Sequence, residues 1–168
     1  MPFKHPDIIE TARYLIRLAE ERDLADLLTI NGDDAVTEHL PYASWQSQDD
    51  AQAWFSRMQV MHTSGSGWQF VIVNKASGCV IGSALLFRYE EGSARAELGY
   101  VLGRAQWGTG AMREALQALI SSAFSHFELR RLEAEVNPLN LASNGLLKRL
   151  GFTQEGVLRK RWTAKSKT

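Results

Sequence analysis

Two hydrophobic rhythms share this chain, one of period two and one near 3.6, and their order predicts strands interleaved with helices. Tyr14-Leu15-Ile16-Arg17-Leu18 reads as a short strand after a polar start. Glu21 to Ile30 predicts a helix with Leu24, Leu27 and Leu28 on one face. Asp33 to Leu40 predicts a second, short helix stopped by Pro41, whose ring cannot continue helical backbone. Asp49 to His62 predicts a third, with Ala51, Trp54, Phe55, Met58 and Met61 on one stripe. Three strands follow, Trp68 to Asn74, Val80 to Arg88 and Ala94 to Leu102. Their connections, Lys75-Ala76-Ser77-Gly78 and Tyr89-Glu90-Glu91-Gly92-Ser93, are hairpin-like, so the three should form an antiparallel meander. Gly110 to Phe127 predicts a long helix, apolar at 112, 115, 116, 119, 120, 123, 124 and 127. Leu132, Ala134 and Val136 then alternate with Arg131, Glu133 and Glu135, the pattern of a strand covered on one face. Asn140 to Leu150 predicts a last helix, with Asn140 as N-cap and Gly151 as its stop. Thr153 to Leu158 reads as a final strand.

The helix between the strand ending at Leu102 and the strand ending at Val136 is a crossover, which makes those two strands parallel neighbours. The expected fold class is α/β (α+β mixed), a mixed central sheet flanked by helices. A length of 168 residues fits one domain, residues 1–168. Lys plus Arg balance Asp plus Glu at 19 each, so no global field favours DNA or an anionic membrane as a partner. Cys79 stands alone, which excludes an internal disulfide and fits a reducing compartment. No apolar run approaches the ~20 residues of a membrane span, and the N-terminus lacks the apolar core of a signal peptide. The protein therefore reads as cytoplasmic.

Candidate chemistry gathers at two corners. Trp107-Gly108-Thr109-Gly110-Ala111-Met112 is a glycine-rich turn opening the long helix. Free N–H groups and a positive dipole end suit a pyrophosphate there, although a tight turn entering a helix explains the same residues. Arg113 stands where a dinucleotide fingerprint has its third glycine, and the Gly-Lys-Ser/Thr of a P-loop is absent. The second corner, Asn137-Pro138-Leu139-Asn140-Leu141-Ala142-Ser143, lies about thirty residues on. Both follow carboxyl ends of strands, where open α/β sheets bind ligands, and together they suggest a nucleotide-tailed cofactor. His5, His39, His62 and His126 have no ligand spacing, so no metal is expected. Cys79 opens an apolar strand and is expected to be buried and inert. Tyr42, Trp45 and Trp68, with Tyr100, are candidate walls for an acceptor, whereas Trp54 and Phe55 read as core. The basic end, Arg159-Lys160-Arg161 with Lys165 and Lys167, reads as a solvated tail, with ribosomal RNA or an acidic partner as the alternative.

Glu97-Leu98-Gly99-Tyr100-Val101-Leu102, Trp107-Gly108-Thr109-Gly110, the Asn137–Ser143 corner and Leu150-Gly151-Phe152-Thr153-Gln154-Glu155-Gly156-Val157-Leu158-Arg159 together resemble the GNAT (Gcn5-related) N-acetyltransferase superfamily. Within it the chain is most similar to the ribosomal-protein-alanine/serine N-acetyltransferase branch, over about residues 10–160. The resemblance implies a GNAT fold whose sheet splays between the fourth and fifth predicted strands to receive acetyl-CoA. By matching positions, Trp107, Gly108, Thr109, Gly110, Ala111 and Met112 would hold the pyrophosphate, the Met112 side chain turning into the core. Val101 and Leu102 would pair with the pantetheine arm like an added strand, aimed by a bulge at Gly99. The Val101 N–H is the candidate donor to the thioester oxygen. Asn137, Asn140 and Ser143 would line the thiol end.

The implied reaction is direct attack of a neutral amine on the thioester within a ternary complex. An α-amine with a pKa of about 7.7–8.0 needs only a modest base, and Glu97 would serve, through water. Ser143 would hydrogen-bond or protonate the departing sulfur. Many members use a tyrosine on the last helix for that step; Leu147 stands at the matching position here. The resemblance therefore implies an acyltransferase acting on a primary amine, foremost the N-terminal α-amine of a (ribosomal) protein. A small amine such as a polyamine, amino acid analogue or aminoglycoside is the alternative acceptor, and a non-catalytic acyl-CoA-binding module the other reading. The acceptor loops would be Glu38–Gln48 and Ser64–Trp68. Family members usually carry one more strand after the segment ending near Trp162, and the resemblance leaves no match for it between there and Thr168, so that strand is expected to be absent. The expectation is an exposed sheet edge and, through it, a homodimer.

Overall fold

The computed structural model describes residues 8–126 and 128–159. In chain order the elements are β1 (Ile8–Glu10), β2 (Tyr14–Leu18), α1 (Leu24–Asn31), α2 (Asp34–Thr37), α3 (Gln48–Ser64), β3 (Trp68–Asn74), β4 (Val80–Glu90), β5 (Arg95–Leu102), α4 (Ala111–Ser125), β6 (Arg131–Glu133) and α5 (Leu141–Arg149). Six strands form one sheet in chain order, β1 to β6. The first five are antiparallel to their neighbours, and β5 and β6 run parallel.

Trp68 to Val73 is a continuously buried run, apolar except for Gln69, whose side-chain amide donates to the Phe70 and Ala84 carbonyls, because β3 lies mid-sheet with helices on both faces. Its side chains alternate between two cores. Trp68, Phe70 and Ile72 join Tyr14, Ile16, Leu86, Ala96 and Leu98 beneath the α4 stripe of Met112, Ala115, Leu116, Leu119 and Ala123. Val71 and Val73 face the other way, toward Leu24, Leu27 and Ile30 of α1 and Ala51 of α3. The helical stripe and the strand alternation thus interlock, as their periods require. A buried bidentate ion pair, Arg17 to Asp23 at 2.8 and 2.9 Å, ties β2 to the entry of α1.

Several expectations change. A strand precedes the expected first one, because Ile8-Ile9-Glu10 pairs with Arg17-Ile16-Leu15; the splay therefore falls between the fifth and sixth strands. The α2 helix ends at Thr37 rather than Leu40. The β6 strand is three residues long, where the alternation extends to Val136. No strand forms over 153–158, where Val157 and Leu158 are exposed. An Arg131–Glu155 ion pair at 2.8 Å holds that segment by side chains instead of a ladder. Cys79 is exposed rather than buried, because it lies in the turn just before β4. The remainder of the basic end, 160–168, lies outside the described residues, and with it the segment after Trp162 on which the expected exposed edge depends. No helix among the described residues is long and apolar enough to cross a membrane.

Candidate active site

The β5 and β6 strands pair only from Arg95–Arg131 to Glu97–Glu133. Beyond Glu97 they part, leaving one edge of β5 without a strand partner, and a cavity of about 350 Å³ opens at the fork. Glu97, Tyr100, Val101, Asn137, Asn140 and Ser143 all line it, as do Tyr42, Arg88 and Glu135. Residues of β5 and of the Asn137–Ser143 corner are thus brought to one cleft, although more than 30 positions separate Val101 from Asn137 in the chain; the glycine turn at 107–112 does not line it.

The bulge is not at Gly99, which sits in unbroken register opposite Leu85. It lies across the ladder, between Phe87 and Glu90, where Arg88 takes a left-handed φ of 51°. The shift matters for which backbone groups face the cleft. Gly103 donates its N–H to the Ile81 carbonyl at 2.8 Å, and Val101 stands opposite Ser83. Strand alternation then turns the N–H and C=O of Val101 toward β4, and those of Tyr100 and Leu102 toward the open side. The expected Val101 donor is therefore engaged in the sheet, and Tyr100 and Leu102 present the cleft-facing amides. The indole of Trp107 agrees with that direction, since its Nε1–H donates to the Leu102 carbonyl at 3.0 Å.

Glu97 occupies the fork itself, its side chain 12% exposed. Burial raises its pKa above the ordinary carboxylate value; the Arg88 guanidinium, 3.2 Å away, pulls the other way, and Glu135 and Glu133 add to the rise. A carboxylate so placed is a better proton acceptor than a free one. Across the cleft, Asn140 caps α5 as its position predicted, its Oδ1 accepting from the Ser143 N–H at 3.1 Å. That cap directs Ser143 toward β5, where its hydroxyl shares a short hydrogen bond with the Tyr100 phenol. Burial raises the Tyr100 pKa, and the Ser143 contact offsets part of the rise. Asn137 closes its own turn, accepting from the Leu139 N–H at 3.0 Å. Asn144, unremarked in the sequence, locks the corner by donating to the carbonyls of Asn140 and Asn137 at 2.8 and 3.2 Å.

The glycine turn leaves a run of backbone amides open. Gly108 and Gly110 both take a φ of 77°, a left-handed backbone that glycine adopts without steric cost. Among the described residues, the N–H groups of Gly108, Gly110, Ala111, Met112 and Arg113 have no acceptor, whereas Glu114 returns its own to Gly110. Thr109 is turned inward, its hydroxyl donating to the Gln106 carbonyl at 2.6 Å. Met112 is buried in the core, as required for its amide to remain available. Arg13, about a hundred residues upstream, braces the turn by donating to the Thr109 carbonyl at 3.2 Å and to Glu114 at 2.7 Å. Burial pulls the Glu114 carboxyl up, but hydrogen bonds from Thr11 and Arg13 outweigh it and leave the pKa lowered. No sequence pattern linked Arg13 to Glu114; their proximity is tertiary.

The aromatic walls sort differently from expectation. Trp68 is 5% exposed and stacks edge-on against Tyr89 in the core, so it is no wall of the cleft. Trp54, read as core, packs on it with Phe55 and also lines the cleft. Tyr42 also lines it, its hydroxyl donating to Asn31 Oδ1 at 2.8 Å, and burial raises its pKa. Trp45 faces a neighbouring cavity with Trp54.

A family model described as "Acetyltransferase (GNAT) domain" matches residues 13–153. The chain is similar to a protein of Bacillus licheniformis named as an uncharacterized N-acetyltransferase p20, 33% identical over 153 residues, covering 91% of this chain and 86% of the relative. It is also similar to the [ribosomal protein uS5]-alanine N-acetyltransferase of Escherichia coli, 31% identical over 160 residues, covering 88% of this chain and 79% of that enzyme. Among solved structures, a spermidine N-acetyltransferase from Vibrio cholerae in complex with CoA and spermine shares the fold, with a TM-score of 0.81 at 17% identity, covering 92% of this chain and 89% of that one.

Proposed function

The chain belongs to the GNAT acetyltransferase family and is an N-acetyltransferase; from that premise we propose that it transfers the acetyl group of acetyl-CoA to the N-terminal α-amine of a protein, within a single acetyltransferase domain. The observation that carries this reading is the fork between β5 and β6, with Glu97 at its base and Ser143 on its far wall. The relative that acetylates an alanine of a ribosomal protein supports the acceptor class.

Each part of the cleft has a role under this reading. The open amides of Gly108 and of 110–113, at the positive end of α4, would hold the pyrophosphate. The cleft-facing groups of Tyr100 and Leu102 would pair with the pantetheine arm, and one of their N–H groups would donate to the thioester oxygen as charge develops there. Asn137 and Asn140 shape the thiol end. Glu97 takes the proton from the attacking amine through a water, its raised pKa matching the task. Ser143, held by the Tyr100 phenol, supplies a proton to the departing sulfur. Tyr42 and Trp54 would flank the acceptor. The balance closes: an N–C bond forms and the C–S bond breaks, the amine proton passes through water to Glu97 and on to solvent, and Ser143, having protonated the sulfur, regains a proton from solvent.

The test is thiol release from acetyl-CoA with peptides beginning in alanine, serine or methionine, beside spermidine and an aminoglycoside. Turnover on a peptide class would establish the α-amine acceptor. Turnover on spermidine or the aminoglycoside alone would reassign the acceptor to a small amine. Acetyl-CoA binding without turnover on any amine would refute the catalytic assignment of Glu97 and Ser143.

A further inference from the structure

The acceptor cleft does not end at Tyr42 and Trp54. These two side chains also form part of a second cavity of about 440 Å³, completed by Trp45, Gln46, Asp50 and Arg57. Its apolar wall is firm: the Trp45 and Trp54 rings lie 5.4 Å apart at a tilt of 51°, and both pack on the core beneath α1 and β3. Asp50 is engaged locally, its carboxylate accepting from the Gln46 N–H at 2.7 Å in the first turn of α3. Arg57 is exposed one turn beyond Trp54 and forms no ion pair among the described residues.

The two cavities share Tyr42 and Trp54 as walls and differ in charge. Glu97 and Glu135 line the first with Arg88, whereas Arg57 lines the second with Asp50, whose carboxylate accepts from the Gln46 N–H; among the described residues Arg57 forms no ion pair. A polyamine is cationic along its length and would meet Arg57 unfavourably. A polypeptide carries its ammonium at one end only and offers side chains of either sign further along. At about 3.3 Å per extended residue, a chain leaving Glu97 past Tyr42 brings its following residues to the second cavity.

We propose that this cavity is an exit subsite for the acceptor polypeptide, taking an apolar side chain against Trp45 and Trp54 and an acidic one beside Arg57. The proposal rests on the peptide-acceptor reading above. It makes Arg57 a specificity-determining residue that lies outside the cleft holding the reacting atoms.

The experiment compares kcat/KM for peptides of two, four and six residues sharing the same N-terminus, then for six-residue peptides carrying Glu or Lys at each of positions three to six. The expected result is a severalfold rise with length, mostly in KM, and about a threefold preference for Glu over Lys at one position, the size an exposed ion pair supports. Arg57→Glu should invert that preference and Arg57→Lys should keep it. The readout is a ratio between two peptides on one enzyme, so lost folding cannot mimic it. Raising salt to about 1 M should shrink the preference, because the pair is solvent-screened. Dipeptides used as well as hexapeptides, with no charge preference in either the wild type or Arg57→Glu, would overturn the exit subsite and leave α-amine acetylation standing. Turnover of spermidine with none of any peptide would overturn the acceptor reading itself, and the subsite with it.

Discussion

Replacing Glu97 with glutamine separates its chemistry from its packing, because the amide matches the carboxylate in shape but neither ionises nor accepts a proton. A positioned general base contributes about 10²–10⁴-fold, or about 3–5 kcal/mol of barrier. The loss should be greatest near pH 7, where an α-amine of pKa about 7.7–8.0 is mostly protonated. It should narrow toward pH 9, where the free amine already predominates. Stability should move the other way. Burial holds the Glu97 pKa above its ordinary value despite the Arg88 guanidinium 3.2 Å away. Its folded pKa therefore exceeds its unfolded one, so the group stabilises the fold while protonated and that contribution is lost as pH rises through the folded pKa. At neutral pH the ionised side chain costs stability, and the neutral amide removes that cost. Arg88 is 61% exposed, so leaving it unpaired adds little. Glu97→Gln should thus lower kcat/KM by about a hundredfold or more at pH 7, leave acetyl-CoA affinity within about twofold by calorimetry, and match or exceed the wild-type Tm. Parallel pH–rate profiles with undiminished turnover would refute Glu97 as the base. A Tm drop of more than about 4 °C, on the order of 1 kcal/mol or more at this chain length, would refute the burial argument.

Gly110→Asp should weaken acetyl-CoA binding at least about tenfold, and more at low salt, by placing a carboxylate beside the free amides at a left-handed position. Gly110→Asn, which tolerates the same backbone without the charge, should bind more tightly than the aspartate variant; equal losses would show strain rather than charge. Ser143→Ala and Tyr100→Phe each remove one side of the same hydrogen bond and should lower kcat similarly, with the double variant little worse than either; fully additive losses in kcat would separate the two hydroxyls. Gly82→Ala should cost about 1–3 kcal/mol and several degrees of Tm, because its Cβ would stand 2.6 Å from the Val101 carbonyl. The same push on β5 should raise the Kd for acetyl-CoA, and an unchanged Tm in thermal melts would contradict so close an approach of the two strands.

Much of the fold was legible because its cues are local. Trp68 to Asn74 and Tyr14 to Leu18 fall where the apolar runs end. The α4 stripe fixes which face of that helix is buried. Asn140 caps α5 because an asparagine before a helical stripe satisfies the first-turn amides wherever the helix lies. The open-amide glycine turn was equally local, since two glycines and a following helix suffice to make it. The strand at Ile8–Glu10 was missed because three residues carry too little periodicity to announce themselves. The expected strand over 153–158 did not form: Thr153-Gln154-Glu155-Gly156 carries no apolar alternation, and no ladder partner lies beside the segment among the described residues.

By itself the sequence determined the order of the elements from β2 to α5, the crossover that makes β5 and β6 parallel, the open-amide glycine turn and the residue types at both corners. These follow from backbone periodicity, glycine conformations and helix caps, all set within a few residues. Only the tertiary structure decided where β5 and β6 part, and that the bulge lies opposite Glu97 rather than at Gly99. That placement turned the Val101 amide into the sheet and left Tyr100 and Leu102 facing the cleft. Tertiary packing also sent Trp68 into the core, left Trp54 both on the core and at the cleft wall, and brought Arg13 to the glycine turn. Each of these depends on strand register or on contacts between residues far apart in the chain, and a one-residue change of register redirects every backbone donor along a strand.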